Sequence, residues 1–415
     1  MREDLKIDRP IKKRLSILLI LLSMCLLAGC QKTPEEVKNR IDKYGKGNQG
    51  KEDSTEQEEQ VSLSDALKRM QEDIHTEAEN LILPETIDTP AISEISLLKL
   101  QYAQDFLSQK GAICKLWDVT SDRQWLDITS VLQGEKMVYS QNEKEKLYMA
   151  IGENGFSSML RQNAYTVNMQ GVIPNNGTII SMEQKKDLQK EIQFKDQPKD
   201  VQTVAAYVTD WMQDHWKTWE PDFSYQVKTG LIRQLNDKQE FISFSLQPYY
   251  NDVPITVNGG RVGEGNDQDK LVSTSAGISV ALFSGNSIDY FTNGTGSLCL
   301  KSAEAVDKVI SLKGAIKLVE NKLSSFKKIE ISDVIIQYDL FPEYNYSLDP
   351  NKKWNAAMPG GTVNARPVYS FVIENKDPIF EDLGVNESAM HSYIDVDMLD
   401  GTLYYDLDKL NYVGE

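Results

Sequence analysis

Histidine and cysteine are scarce, at three and four residues in a chain of 415. That supply is too thin for the His/Cys clusters that hold metals, so no metal and no other cofactor is expected. Basic residues are outnumbered, with 45 Lys and Arg against 62 Asp and Glu, for a net charge of −17. Nucleic-acid affinity comes from clustered Lys and Arg on phosphates, so no nucleic-acid partner is expected. No apolar run approaches the roughly 20 residues that span a bilayer as a helix. Hydrophobic residues make up 40% and charged residues 26%, which fits a mostly globular chain rather than a fibrous or wholly disordered one. At about 100–200 residues per domain, the length allows two or three domains.

What is present begins with an ordered N-terminal series. Arg9, Lys12, Lys13 and Arg14 form a basic stretch, and Leu15 to Leu27 then run without a charge. The run is too short to span and fits the apolar region of a secretory signal. Leu27-Ala28-Gly29-Cys30 follows and resembles the bacterial lipobox. The resemblance implies cleavage before Cys30, diacylglycerol on its thiol and retention by acyl chains. Two acyl chains bury enough CH₂ groups for stable anchoring, where one is reversible. The alternative is an N-terminal helix or uncleaved anchor with a chance cysteine. Losing residues 1–29 removes six bases and three acids, which takes the charge from −17 to −20. Anionic lipid repels such a body, so lipidation of Cys30 rather than a basic patch is expected to hold it. Lysine outnumbers arginine 35 to 10, a bias of AT-rich genomes that suggests a low-GC Gram-positive source. The expected location is the extracytoplasmic face of the cell membrane.

The mature chain divides by composition and periodicity. Cys30 and residues 31–60 read as the lipidated residue and a disordered tether, because only Val37, Ile41 and Tyr44 are apolar there. Such a linker reaches about 30 Å. An N-terminal α+β region is expected over 61–197. Leu63, Leu67, Met70, Ile74 and Leu81 predict a helix over 63–80, and Pro84 and Pro90 then extend the chain. Ile95, Leu98, Tyr102, Phe106 and Leu107 predict a second helix ending near Gly111. Asn154-Gly155 between two apolar runs predicts a hairpin.

Two helix-plus-sheet modules follow, over 198–300 and 301–415. In the first, Val201, Val204, Ala205, Val208, Met212 and His215 share one helix face, and strands are predicted at 222–234, 239–247, 272–283 and 288–292. In the second, Ser311 caps a helix carrying Ile316, Val319, Leu323 and Phe326. Its strands fall at 329–340 and 366–373, and a closing hairpin at 393–399 and 402–407 turns at Asp400-Gly401. The fold class is therefore α+β: tandem modules of one helix packed on an antiparallel sheet, behind a signal peptide and a tether.

The second module carries a further pattern. Helix 311–326, the strand ending Gln337-Tyr338, the run Arg366-Pro367-Val368-Tyr369-Ser370-Phe371, and Ile394-Asp395-Val396-Asp397 before Asp400-Gly401 resemble PepSY-type domains. They also resemble the related modules of the YycH/YycI regulators, and the whole layout resembles a family of clostridial lipoproteins. The resemblance implies extracytoplasmic regulation, inhibition or sensing, with no shared catalytic residues. YycH and YycI use a transmembrane helix to contact a sensor kinase, and a lipid anchor on Cys30 does not reproduce that contact.

Other constellations have simpler readings. His75, His215 and His391 are the available bases, none within a Gly-x-Ser-x-Gly elbow, and packing or capping roles are expected. Asp395-x-Asp397-x-x-Asp400-Gly401 lacks a ligand at Leu399 and the Gly that a calcium loop needs at Asp400, so a hairpin explains it. The glycine-rich run 259–265 lacks the Lys-Ser/Thr of a phosphate loop. Trp211 is expected in the core, with Trp219, Tyr249 and Tyr250 packed or lining a binding surface. Cys114 and Cys299 fit either a disulfide or two separate buried thiols.

The expectation is a membrane-anchored binding, sensing or regulatory module and not an enzyme, its partners being the membrane through Cys30 and a protein or peptidoglycan-associated component. The alternatives are a structural or assembly factor of the envelope and a hydrolase with an unfamiliar site.

Overall fold

The computed structural model describes residues 60–120, 123–129, 136–170, 177–182, 184–257, 262–263, 276–324, 329–342, 359–374 and 391–405. The signal segment, Cys30 and the expected tether up to Glu59 lie outside the described residues. The chain divides into two compact units, 1–55 with 166–173 and 56–165 with 174–415. Of the first, only Thr166–Gln170 at the end of one helix are described. The second is the body.

β1 (Gln60–Ser62) leads into α1 (Leu63–Asp73), where the Ser62 side chain accepts from Asp65 N as an N-cap. The helix stops short of residue 80 because the following residues take a tertiary partner. Thr76 Oγ1 and Glu77 N both donate to Glu320 Oε1. β2 (Leu81–Ile82) and β3 (Ser96–Tyr102) come next. β3 corrects the helix expected here. Ser96, Leu98, Leu100 and Tyr102 are buried alternately, and pairing on both edges selects the two-residue period over the three-to-four spacing of Ile95, Leu98 and Tyr102. The helix forms later, as α2 (Lys110–Leu116) after a 3₁₀ turn.

β4 (Leu126–Thr129), β5 (Lys136–Asn142), β6 (Leu147–Gly152) and β7 (Ser157–Arg161) pair in chain order as antiparallel neighbours. Asn154-Gly155 makes the β6–β7 turn, with Gly155 at φ 92°. α3 (Gln162–Gln170), β8 (Gly177–Ser181), α4 (Lys185–Leu188), β9 (Glu191–Ile192) and β10 (Lys199–Asp200) lead to α5 (Val201–His215). Asp200 caps α5, accepting from Thr203 N at 2.7 Å. Val201, Val204, Ala205, Val208 and Met212 make its buried stripe, each aliphatic burial worth about 1.5–3 kcal/mol for the larger side chains.

The first meander follows as β11 (Ser224–Asn236), β12 (Gln239–Tyr250), β15 (Ile278–Leu282) and β16 (Tyr290–Asn293). Two short strands, β13 (Val253–Pro254) and β14 (Val262–Gly263), fall inside its long connection. β17 (Leu298–Ala305) and β18 (Lys308–Ile310) then reach α6 (Leu312–Leu323). The second meander is β19 (Ile329–Pro342), β20 (Thr362–Glu374), β21 (His391–Asp397) and β22 (Leu403–Tyr405), with Gly401 at φ 77° in the final turn.

Each meander is the centre of a larger sheet. The first sheet has ten strands in the order β4-β5-β6-β7-β16-β15-β12-β11-β8, with β13 beside β12. The second has eight, in the order β14-β22-β21-β20-β19-β2, with β3 beside β20 and β17 beside β3. Pairing between these strands is antiparallel except for β2 with β19. α5 packs on β11, while α6 packs on α1 and β21. The class is α+β, with a helix on an antiparallel sheet in each half. The segments 61–197, 198–300 and 301–415 do not each own a sheet. β3 and β17 sit in the second sheet, and β4–β8 extend the first. A meander alone leaves unpaired N–H and C=O groups along its edges, and the added strands cover them.

The Ser311 cap lies where the sequence puts it, its Oγ accepting from Gly314 N at 3.2 Å. Ser311→Ala is expected to cost about 1 kcal/mol in a urea titration. An unchanged midpoint would show that α6 is held by packing alone.

Candidate functional site

Residues 294–297 carry the chain from β16 in the first sheet to β17 in the second. This crossover locks onto the β6–β7 turn through two glycines. Gly155 and Gly296 both take φ 92°. A Cβ on Gly155 would lie 2.5 Å from Ser297 Cβ, and one on Gly296 would lie 2.8 Å from the Asn154 carbonyl oxygen, so only glycine fits at either place. Ser297 N donates to Asn154 O at 3.1 Å, and Ser297 Oγ donates to Gly155 O at 3.3 Å.

Glu220 enters from a third side. The chain leaves α5 through a 3₁₀ turn at Trp216–Thr218, which delivers Glu220 to the interior at 2% exposure. Glu220 Oε1 accepts from Leu298 N at 3.2 Å and from Asn293 Nδ2 at 3.4 Å. One carboxyl oxygen therefore grips the last residue of β16 and the first of β17. Glu220 Oε2, Trp216 Nε1 and Thr295 Oγ1 are buried and make no hydrogen bond of ordinary geometry among the described residues. Glu220 and Thr295 line a cavity of about 10 Å³, enough for one water. Glu220, Asn293 and Thr295 form its polar side, and Phe223, Ile255 and Leu298 are among its apolar lining.

Burial pushes the Glu220 carboxyl up to about 7, because the charged form loses water without gaining a cation. The Trp216 indole, the Leu298 amide, Ser297 and Asn293 pull the other way as donors to the charged form. The site thus holds a carboxyl that gains or loses its proton near neutral pH.

An aromatic cluster backs the site. Trp216 is fully buried, with its ring centroid 4.6 Å from Phe291 and 5.1 Å from Trp219. Trp211 is only half-buried, stacked between Trp117 at 4.9 Å and His215 at 5.2 Å.

A second polar cluster lies in the second sheet. Arg366 on β20 donates through Nε to Asp397 on β21 and through Nη2 to Asp400 at 2.6 Å. Asp397 is fully buried, and its Oδ1 accepts from Leu399 N at 2.8 Å. Burial raises the Asp397 pKa while the guanidinium opposes the rise, and both aspartates in turn push Arg366 upward.

No family model matches this chain, and no curated protein matches it. A solved structure of an uncharacterized protein from Eubacterium rectale is similar to it. The two are 12% identical, the match covers 82% of this chain and 98% of that one, and the TM-score is 0.46.

The residues singled out from sequence are dispersed. Cys30 lies outside the described residues. His75 is exposed just beyond α1, its Nδ1 3.2 Å from Glu72 O. His215 is exposed rather than buried with its apolar stripe, because its ring covers Trp211. His391 opens β21. Trp219 is half-buried against Phe106 and Trp216, and Tyr250 packs edge-on against Phe223 and Tyr338. These aromatics do not form one open surface, and among the described residues Leu126, at 47%, is the large apolar side chain left exposed. Cys114 and Cys299 are separate free thiols, one buried and one half-buried. Among the described residues no group of three or more His, Cys, Asp or Glu is placed to hold a metal, and no helix is long and apolar enough to cross a membrane. Sequence reading missed Glu220 altogether. It stands in Trp219-Glu220-Pro221-Asp222, which reads as a polar turn.

Proposed function

We propose that the chain is a lipoprotein anchored through Cys30 on the extracytoplasmic face of a cell membrane. Its body acts there by binding, as a sensor, regulator or partner of an envelope component. The observation that carries this reading is the order of the N-terminal features: a basic stretch, a short uncharged run, then Leu27-Ala28-Gly29-Cys30. The polar stretch that follows leads to Gln60, where β1 pairs with β18 immediately before α6. A body of this sign is repelled by anionic headgroups and steers toward positively charged partners. With so little exposed apolar side chain among the described residues, partner recognition rests on polar and charged contacts.

Cys30→Ala is expected to abolish incorporation of labelled fatty acid and to release or mis-process the protein. A variant that still takes up label and stays in the membrane fraction would sink the proposal.

A further inference from the structure

We propose that Glu220 and the cavity beside it form a proton-binding site that controls how firmly the 294–297 crossover joins the two sheets. Oε1 is already held by the Leu298 amide and the Asn293 side chain. Oε2 and Thr295 Oγ1 are buried without a hydrogen bond of ordinary geometry among the described residues, beside a space the size of one water, while the Trp216 indole and Ser297 also favour the charged carboxyl. A carboxyl O–H at Oε2 that donates to Thr295 Oγ1, directly or through one water, gives both oxygens a partner.

A bound cation fits less well. The neighbours that shift the Glu220 pKa are N–H and O–H donors, and they include no Lys, Arg or His. A cation in that space would meet the positive ends of several N–H dipoles in a low dielectric. The proton needs no such room.

Few charged or titratable groups face the carboxyl. From β17 comes Cys299, half-buried, whose thiol is raised by its own burial and then by the charge of Glu220. From β11 comes Tyr225, part of the cavity lining. Lys301, two residues further along β17, pulls the Cys299 thiol down, and Asp222, two residues along the chain from Glu220, pushes it up. The crossover, β16 and the β6–β7 turn contribute Thr295, Ser297, Asn293 and Asn154, none of which titrates near neutrality. β12 and β15 contribute Pro248 and Ile278, which are apolar.

The link to conformation is geometric. When the proton leaves, the carboxylate keeps the Leu298 amide and the Asn293 side chain on Oε1 and draws water toward the cavity through Oε2. That cavity is lined by Asn293 at the end of β16, by Thr295 and Gly296 in the crossover and by Leu298 at the start of β17. The folded-state value lies above the ordinary carboxyl value, so the stabilisation is complete at acid pH, below the unfolded value. It is lost as pH rises through about 7. The crossover is therefore tight when the surroundings are acidic and looser when they are alkaline. This goes beyond anchoring, and its failure would leave the Cys30 reading untouched.

The test is a carboxyl-detected NMR titration of the full chain in detergent, together with amide exchange at Ser297 and Leu298 corrected for intrinsic rate. The expected result is a carboxyl resonance with a midpoint near neutral pH that is missing from Glu220→Gln. Protection at Leu298 should fall several-fold between about pH 5 and about pH 8 in the wild-type chain and stay level in Glu220→Gln. A midpoint in the ordinary carboxyl range, or Leu298 protection that ignores pH in the wild-type chain, would overturn the proposal. Both of those readings come from the wild-type chain, so a Glu220→Gln variant that failed to fold would not rescue it.

Discussion

Trp216→Ala is expected to lower stability by about 3–5 kcal/mol, a large part of the 5–15 kcal/mol of an ordinary domain. The side chain is fully buried and meets Phe291, Trp219 and, at 6.5 Å, Phe106. It is also where α5 hands over to the turn that places Glu220. Removing the indole leaves a cavity that neighbours fixed on β16 and the 3₁₀ turns cannot fill. It also lets water reach the Glu220 carboxyl, so the pH sensitivity of the crossover should weaken along with the fold. Urea unfolding followed by far-ultraviolet circular dichroism measures the first effect. A loss below about 1 kcal/mol would mean that this cluster is not the centre of the first half's core.

Arg366→Met is expected to cost a similar amount, about 3–5 kcal/mol at neutral pH, for a different reason. The variant keeps most of the side-chain volume but leaves Asp397, at 0% exposure, without its cation. Burial already raises the Asp397 pKa, and the guanidinium opposes the rise. Without it the folded-state value climbs further above the unfolded one. Stability of the variant should then be best at acid pH and fall as pH rises through the folded-state value. The wild-type chain, with the pair intact, should show less of this slope. Thermal unfolding of both chains across the pH range decides it. A variant whose deficit is the same at acid and neutral pH would show that the lost stability comes from packing of the arginine stem and not from an uncompensated charge.

Much of the architecture is legible in the sequence because it is local. Val201, Val204, Ala205, Val208 and Met212 repeat with the helical period, and Ser311 marks the start of α6 by its own hydroxyl. Asn154-Gly155 and Asp400-Gly401 fix two hairpins through glycines at positive φ. The misreadings are places where tertiary pairing decides. Residues 96–102 fit both a three-to-four and a two-residue spacing, and β17 and β20 on either side choose the strand. His215 belongs to the apolar stripe by number, but α5 ends there and the ring turns outward onto Trp211. The candidate site was invisible for a stronger reason. Glu220 meets Asn293 and Leu298 across more than 70 positions, and the Asn154–Gly155 turn joins them from the other side. None of these residues belongs to a periodic pattern or a motif, so only the fold brings them together.

The measurement that bears most directly on the central claim is mass spectrometry of the protein's N-terminal peptide, purified from the membrane fraction of cells that express it. The expected species begins at Cys30 and carries diacylglycerol on the thiol, with residues 1–29 absent. A membrane-bound chain that retains residues before Cys30, or one that begins at Cys30 with a free thiol, would contradict the account.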